Sequence, residues 1–546
     1  MTTGATAETF DEHILKIVDH FLQTVVVVDD QALEQFPADL LGDSELSQHS
    51  RPGRGRAVTT LTSVPDGGAD HELDSKVVTD AFAEYGLVCS MLSPGPAEDV
   101  SEKFLMTARR ADLVVLDWVL HSDIGNKTLD LVKRILASDE APDRRRLRTI
   151  AIYTGQKELH DIADSLAQTI AAVYDDCELE RSEDGFAMTT GPVRAAVFAK
   201  EHVSDLPGEL ESRRVSFGDL PERLRCEFAT LTTGLVTGVA LAALGALRED
   251  THRILKVLSP QLDPAFLGHR AALPDPGEAT LQAVMLVAAE IRSVIEDNVV
   301  GQNVDLPVLK LWLADAKRRH LPFGELIDVA KRLSPSQVEA SLAHGLGTDQ
   351  GAELVGDIKY GKKYFKKIKG EATKIFAATA DEAAQSSADF AHRTMMRTMY
   401  SEPPRVLQLG TIVFSGDTYR LCMQPLCDSV RITEPRAFPF LPLDQVDPDG
   451  KANFVVTGDD GASWTYLQLI GSPRDLCMLS FDPAPNSAGT ATQEGGAYRF
   501  TDLDGGIHRW IGELKPEFSQ RAAFELAQQF ARIAVDEAEF LRLGRR

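Results

Sequence analysis

Between residues 24 and 200 the chain alternates two patterns. Short, continuously apolar runs occupy 24–30 (TVVVVDD), 86–92 (GLVCSML), 112–118 (DLVVLDW), 149–155 (TIAIYTG) and 193–200 (VRAAVFAK). Runs of this length, rich in Val and Ile, predict strands buried on both faces. Between them, at 75–85, 97–110, 127–138 and 157–173, apolar residues recur at the three- and four-residue spacing of helices. Five strands with helical crossovers predict a doubly wound parallel α/β sheet. Two interruptions break the rhythm. Residues 45–70 are polar and rich in Pro and Gly, a loop inserted after the first strand, and 177–191 predicts an extra hairpin turning at Glu183-Asp184-Gly185.

Beyond residue 206 the spacing becomes mostly helical, through 220–247, 279–298, 308–319, 323–333 and 335–344. From 404 to 514 it changes again. Segments 406–414 and 418–424 flank Ser415-Gly416-Asp417, a hairpin signature, and further strands are expected near Val430, 453–456, 463–470, 476–481, 498–500 and 507–511. That spacing predicts a small β-rich barrel or sandwich, closed by an amphipathic helix over 518–543. The expected domains are therefore 1–205, 206–400 and 401–546.

Composition narrows the function. With 43% hydrophobic and 25% charged residues in 546, the chain can bury ordinary cores and is not a disordered or fibrous protein. Acidic residues number 82 against 57 basic, a field that repels nucleic acid. With no helix-turn-helix pattern either, no specific DNA binding is expected. The basic, aromatic-laced run 359–369 (KYGKKYFKKIK) reads as a solvated face or a linker docking on this acidic protein. Six Cys in so long a chain imply a reducing compartment, and residues 1–23 have no basic-then-apolar signal pattern, so a cytoplasmic location is expected. The uncharged stretch 228–247 is long enough to cross a bilayer and holds Gly234-x-x-x-Gly238. Diluted by Thr, Gly and Ala and lacking flanking Trp or Tyr, it reads instead as a buried helix or a homodimer surface, with no membrane expected.

The chemistry sits at the strand ends. Strand one ends in Asp29-Asp30, strand three in Asp117, strand four in Thr154 and strand five in Lys200. A parallel sheet brings all of them to its carboxyl edge, where ligands of open α/β sheets bind. Three clustered carboxylates call for a hard cation, and oxygen-only ligands suit Mg²⁺. An Asp carboxylate is also a competent nucleophile towards phosphorus, with Lys200 and the Thr154 hydroxyl placed for phosphoryl oxygens.

This set resembles the receiver domain of two-component response regulators, together with Leu116-Asp117-Trp118, Gly125 eight residues on, and Gly155 after the Thr. The resemblance covers roughly residues 20–205 and implies the flavodoxin-like strand order 2-1-3-4-5. It makes Asp117 the phosphoacceptor, Asp29 and Asp30 with Asp117 the Mg²⁺ ligands, Thr154 the switch hydroxyl and Lys200 the phosphate-pairing cation. The implied partner is a histidine-kinase-like protein. The inserts and appended regions look like the response receivers of bacterial conflict and anti-phage loci, whose kinases are of the GHKL type. Three positions depart from the family pattern: Leu120-His121 replaces Met-Pro, Glu201 replaces the Pro after the lysine, and Val197 replaces the aromatic switch residue. Output is then expected through the hairpin or the helix after Lys200.

Other readings stay open. The protein could be a phosphate sink or scaffold without output of its own, or an effector enzyme with a site near Cys427 and Asp428. Cys422, Cys427, Cys477 and His508 share one β region, though their spacing fits no familiar zinc ribbon. His121, next to the proposed phosphoacceptor region, is a candidate for gating or hydrolysis.

Overall fold

The computed structural model describes residues 8–30, 32–33, 73–93, 101–138, 145–315, 334–346, 372–401, 405–425, 434–448, 451–458, 463–482, 491–494 and 496–530, with a few single residues besides. The 45–70 loop, the expected helix 323–333, the basic run 359–369, the strand near Val430, and Cys427 with Asp428 lie outside them, as do 97–100, 316–319 and 531–543. The chain divides into two units, Met1–Asp315 and Ala316–Arg546.

In the first unit the strands are Thr24–Val28 (β1), Ala32–Leu33 (β2), Leu73–Asp74 (β3), Val88–Leu92 (β4), Leu113–Leu116 (β5), Val119–Leu120 (β6), Asp123–Ile124 (β7), Arg148–Thr154 (β8), Glu180–Arg181 (β9), Ala187–Thr190 (β10), Val193–Lys200 (β11) and Arg214–Val215 (β12). The helices are Phe10–Phe21 (α1), Ser75–Glu84 (α2), Ser101–Ala108 (α3), Asn126–Ala137 (α4), Leu159–Val173 (α5), Leu220–Thr232 (α6), Leu235–Val257 (α7), Asp263–Ala272 (α8), Glu278–Asp297 (α9) and Leu306–Ala314 (α10). The main sheet runs β4-β1-β5-β8-β11-β10-β9. Its first five strands are parallel, which is the order 2-1-3-4-5 counted over the five expected strands. The hairpin at 177–191 forms and extends the sheet antiparallel through β10 and β9. Gly185 makes its turn at φ +80°, a conformation glycine adopts without steric cost.

The strands are continuously apolar because each of their faces meets a core. Val26 and Val28 point with Leu116 and Ile152 into a cluster shared with Leu131 and Ile135 of α4 and Leu166 and Ile170 of α5. Val25 and Val27 point the other way, towards Ile14 and Val18 of α1, Phe82 of α2 and Phe228 of α6. Side chains alternate along a strand, so a strand between two helical layers has no polar face to display. Helix α1 was not anticipated, although Thr9 and Glu12 close a capping box at its start, with Thr9 N–H donating to Glu12 Oε2 at 2.7 Å.

The stretch 228–247 is not one helix. It breaks at Thr233-Gly234, two poor helix formers, and α6 and α7 are bent by 120° at the break. No single helix among the described residues is long and apolar enough to cross a membrane, though this bent pair passes on length and composition. The small residues on α7 face α1 within the chain. A Cβ on Gly238 would sit 3.4 Å from Ile14 and Ile17, and one on Gly245 would sit 3.1 Å from the His20 carbonyl oxygen. Gly238 and Gly245 therefore mark a close helix crossing inside the first unit, whereas Gly234 caps α7 and faces only Thr237.

The second unit holds one antiparallel sheet. Its strands are Thr411–Ser415 (β13), Thr418–Cys422 (β14), Arg436–Val446 (β15), Phe454–Thr457 (β16), Trp464–Leu469 (β17), Cys477–Phe481 (β18), Thr492–Glu494 (β19), Ala497–Thr501 (β20) and Ile507–Glu513 (β21). They run β16-β17-β15-β14-β13-β21-β20-β19, with β18 also on β15. Helices Pro335–His344 (α11), Ala380–Met395 (α12) and Pro516–Phe530 (α13) accompany them. One face packs Leu421, Leu441 and Leu443 with Ala522 and Leu526 of α13. The other gathers Val413, Cys422, Phe438, Phe440, Phe481 and Phe500.

Candidate functional site at the carboxyl rim of the parallel sheet

The register fixes which residues meet. Val28 pairs with Leu116, Leu116 with Ile152, and Ala199 with Thr154, so Asp29, Asp117, Thr154 and Lys200 all leave the sheet at one rim. Each follows or closes an apolar strand that cannot slip without exposing its Val and Ile side chains. One carboxylate oxygen from each of Asp29, Asp30 and Asp117 lies within 4.8 Å of the others. All five residues expected from the sequence are thus on one edge.

Lys200 is the electrostatic hub. It is 1% exposed, and its Nζ lies 2.7 Å from Asp29 Oδ2 and 3.4 Å from Asp117 Oδ2. One ammonium against three carboxylates leaves the cluster short of positive charge. Burial pushes the Asp117 carboxyl up to about 7; Lys200 opposes the rise and Asp29 adds to it. Asp117 Oδ1 accepts from the Trp118 N–H at 2.8 Å, and Thr128 Oγ1 donates to the Asp117 carbonyl at 2.7 Å. These bonds fix the Asp117 backbone and one carboxylate oxygen.

Asp30 is held differently. Its Oδ2 accepts from the His121 N–H at 2.7 Å and lies 3.2 Å from His121 Nδ1. Its Oδ1 is buried with no partner among the described residues. An orphaned carboxylate oxygen beside two further carboxylates fits a hard divalent cation, as the all-oxygen donor set does. Receiver domains generally bind Mg²⁺ through such an acidic cluster. His121, a candidate for gating or hydrolysis in the sequence, is a partner of Asp30. Here His121 and Ser122 have positive φ, +52° and +66°, in the tight turn between β6 and β7, and that turn delivers the His121 N–H to Asp30.

Thr154 is fully buried, and its Oγ1 accepts from the Gln156 N–H at 3.1 Å. The hydroxyl proton is not spent in that bond. Glu201, in place of the Pro after the lysine, is exposed, and its backbone carbonyl accepts from Arg214. Val197 is fully buried in the α4–α5 core. Tyr153 is the aromatic group near Lys200, with its ring 5.9 Å from Nζ and its hydroxyl donating to the Val215 carbonyl at 2.9 Å. β12, which holds Val215, pairs directly with the end of β11, Lys200 beside Val215. Nothing in the family pattern signalled this link, because it needs the chain to fold back after the lysine.

Among the described residues Cys422, Cys477 and His508 form no metal-binding group, and the site near Cys427 and Asp428 lies outside them. Cys422 is packed among Phe438 and Phe440, its thiol pushed up to about 12 by burial. His508 is engaged by Asp502 at 2.8 Å, and the acidic trio is the one described group with metal-binding geometry.

A five-stranded parallel sheet with an acidic rim and a buried lysine defines a doubly wound α/β domain with its candidate site at the carboxyl edge. Residues 21–205 match the response receiver domain family, so this part of the chain is a receiver domain with a response-regulator-like role. No curated protein and no solved structure matches the chain.

Proposed function

We propose that the protein accepts a phosphoryl group on Asp117 from a histidine-kinase-like partner and relays that event to the regions after the receiver. What carries the reading is the geometry of one rim: three carboxylates within 4.8 Å of one another and a buried Lys200 2.7 Å from Asp29. The Asp117 carboxylate attacks phosphorus and forms a P–O bond. The donor's P–N bond breaks, and its electron pair stays on the imidazole nitrogen. A Mg²⁺ ion held by Asp29, Asp30 and Asp117 would supply positive charge against the phosphoryl oxygens. Lys200 pairs with the new negative charge, and the Thr154 hydroxyl donates to another oxygen.

The output route we favour starts at Lys200. A phosphoryl group on Asp117 competes with Asp29 for its ammonium, and Tyr153 and the β11–β12 pairing connect that ammonium to the segment entering α6. With Val197 in place of an aromatic switch, this path takes over its role. A homodimer would use the outer face of α7, where Val236 and Leu244 are exposed, since the inner face lies on α1. The resemblance to conflict-locus receivers makes anti-phage defence the setting for the search, with a GHKL-type kinase as the donor. Incubating the full chain with that kinase and labelled ATP tests the reading. Label on the wild type and none on Asp117→Asn is expected; label retained by the variant refutes it.

The alternative is a phosphate sink, favoured by the buried Val197. A relay predicts that phosphorylation changes hydrogen exchange in α6 and α7, whereas a sink leaves both unchanged.

A further inference from the structure

In the second unit, a buried cation stands without an anion among the described residues. Arg405 is 6% exposed, and its guanidinium carbon lies 4.9 Å from the ring centroids of both Tyr498 and Trp510. The two rings meet edge to face at 6.0 Å. Cation–π contact offsets part of the cost of burying a guanidinium but supplies no acceptor for its N–H groups. Among the described residues its only side-chain hydrogen bond is from Nη2 to the Ser401 carbonyl at 3.2 Å, and no carboxylate pairs with it.

The surrounding groups share the deficit. Arg499 pairs with Arg509 and Phe500 with His508, so Tyr498, Phe500, His508 and Trp510 project from one face of the β20–β21 ladder. Arg405 Nε, Trp510 Nε1 and the Tyr498 hydroxyl are each buried without a hydrogen-bond partner among the described residues, and so is His508 Nδ1. Guanidinium and indole N–H groups can only donate, and a phenol donates readily. The carboxylate on the adjoining turn, Asp502, is already committed to His508 Nε2 at 2.8 Å and the Gly506 N–H at 2.6 Å. Several unsatisfied buried donors around one unpaired cation are costly unless an acceptor-rich group from outside joins them.

We propose that this face of the β20–β21 ladder is a binding site for a small oxyanion, a phosphate or carboxylate group, held by Arg405 with Tyr498 and Trp510 as further donors. The guanidinium supplies the charge and a forked set of N–H donors, which suits either oxyanion. The two rings hold Arg405 in place and keep water from it. Activity at the receiver rim is not required, so the site stands or falls independently of Asp117.

Calorimetric titration of the full chain with inorganic phosphate and with acetate, against chloride at matched ionic strength, tests it. Saturable binding of at least one oxyanion beyond the chloride control is expected. Tyr498→Phe, which keeps the ring and removes one donor, should weaken it about tenfold. Arg405→Gln should abolish it, and Asp117→Asn should leave it unchanged. If Arg405→Gln does not fold, Tyr498→Phe decides. Heats no larger than those of chloride, binding unaltered by Tyr498→Phe, or binding lost in Asp117→Asn would each overturn the proposal.

Discussion

Replacing Asp117 with Asn removes a buried charge from a rim that holds three carboxylates and one lysine. The rise of Asp117 from 3.8 to about 7 means that the folded state resists its ionisation. At about 1.4 kcal/mol per pH unit, a rise of that size corresponds to about 4 kcal/mol at full ionisation. Below pH ~4 the group is protonated in both states and the cost vanishes. As pH rises from there through about 7, the unfolded chain ionises first, so metal-free stability is lost across that window. The Asn side chain keeps the acceptor for the Trp118 N–H but forfeits the contact with Lys200, 3.4 Å away. The net gain expected for Asp117→Asn at pH 8 is therefore about 1–3 kcal/mol, shrinking towards pH 4. Hydrogen exchange of the β1 and β5 amides in EDTA reads the receiver separately from the second unit. A variant no more stable than wild type at pH 8, or a difference that does not narrow with acid, would refute the reasoning.

Three further outcomes are expected. Magnesium should stabilise the wild-type receiver in the same exchange assay and leave Asp117→Asn nearly unmoved; equal stabilisation of both would place the ion elsewhere. Tyr153→Phe strands the buried Val215 carbonyl, so the first unit should lose about 1–2 kcal/mol in urea unfolding, with phosphorylation intact but its effect on α6 exchange reduced; an unchanged α6 response would remove Tyr153 from the route. Gly245→Val drives a side chain against the His20 backbone and should destabilise the α1–α7 crossing by about 1–3 kcal/mol; a neutral result would mean that this face of α7 is not packed in solution.

The receiver sheet was legible because its strands are buried on both faces. Val25 to Val28 cannot be read as anything amphipathic, and a parallel order then forces Asp29, Asp117, Thr154 and Lys200 to one rim. What stayed hidden depends on contacts distant in sequence. Helix α1 carries a capping box, but its partner surface, the glycine face of α7, lies more than two hundred residues on. The break at Thr233-Gly234 was masked by the uncharged stretch around it, since hydropathy is blind to a bend. The sequence offered His121 for gating or hydrolysis and missed its hold on Asp30, because that rests on a backbone N–H in a positive-φ turn, which no side-chain pattern announces. Arg405, too, drew no notice in the sequence; only the β20–β21 register brings Tyr498 and Trp510 to it.

The most direct test is intact-mass analysis of the full chain after incubation with acetyl phosphate and Mg²⁺, with the modified residue mapped by reductive trapping. The account predicts one hydroxylamine-labile phosphoryl group, on Asp117, absent from Asp117→Asn and without Mg²⁺. A stable phosphoryl group on another residue, or none on a folded wild-type chain, would contradict it.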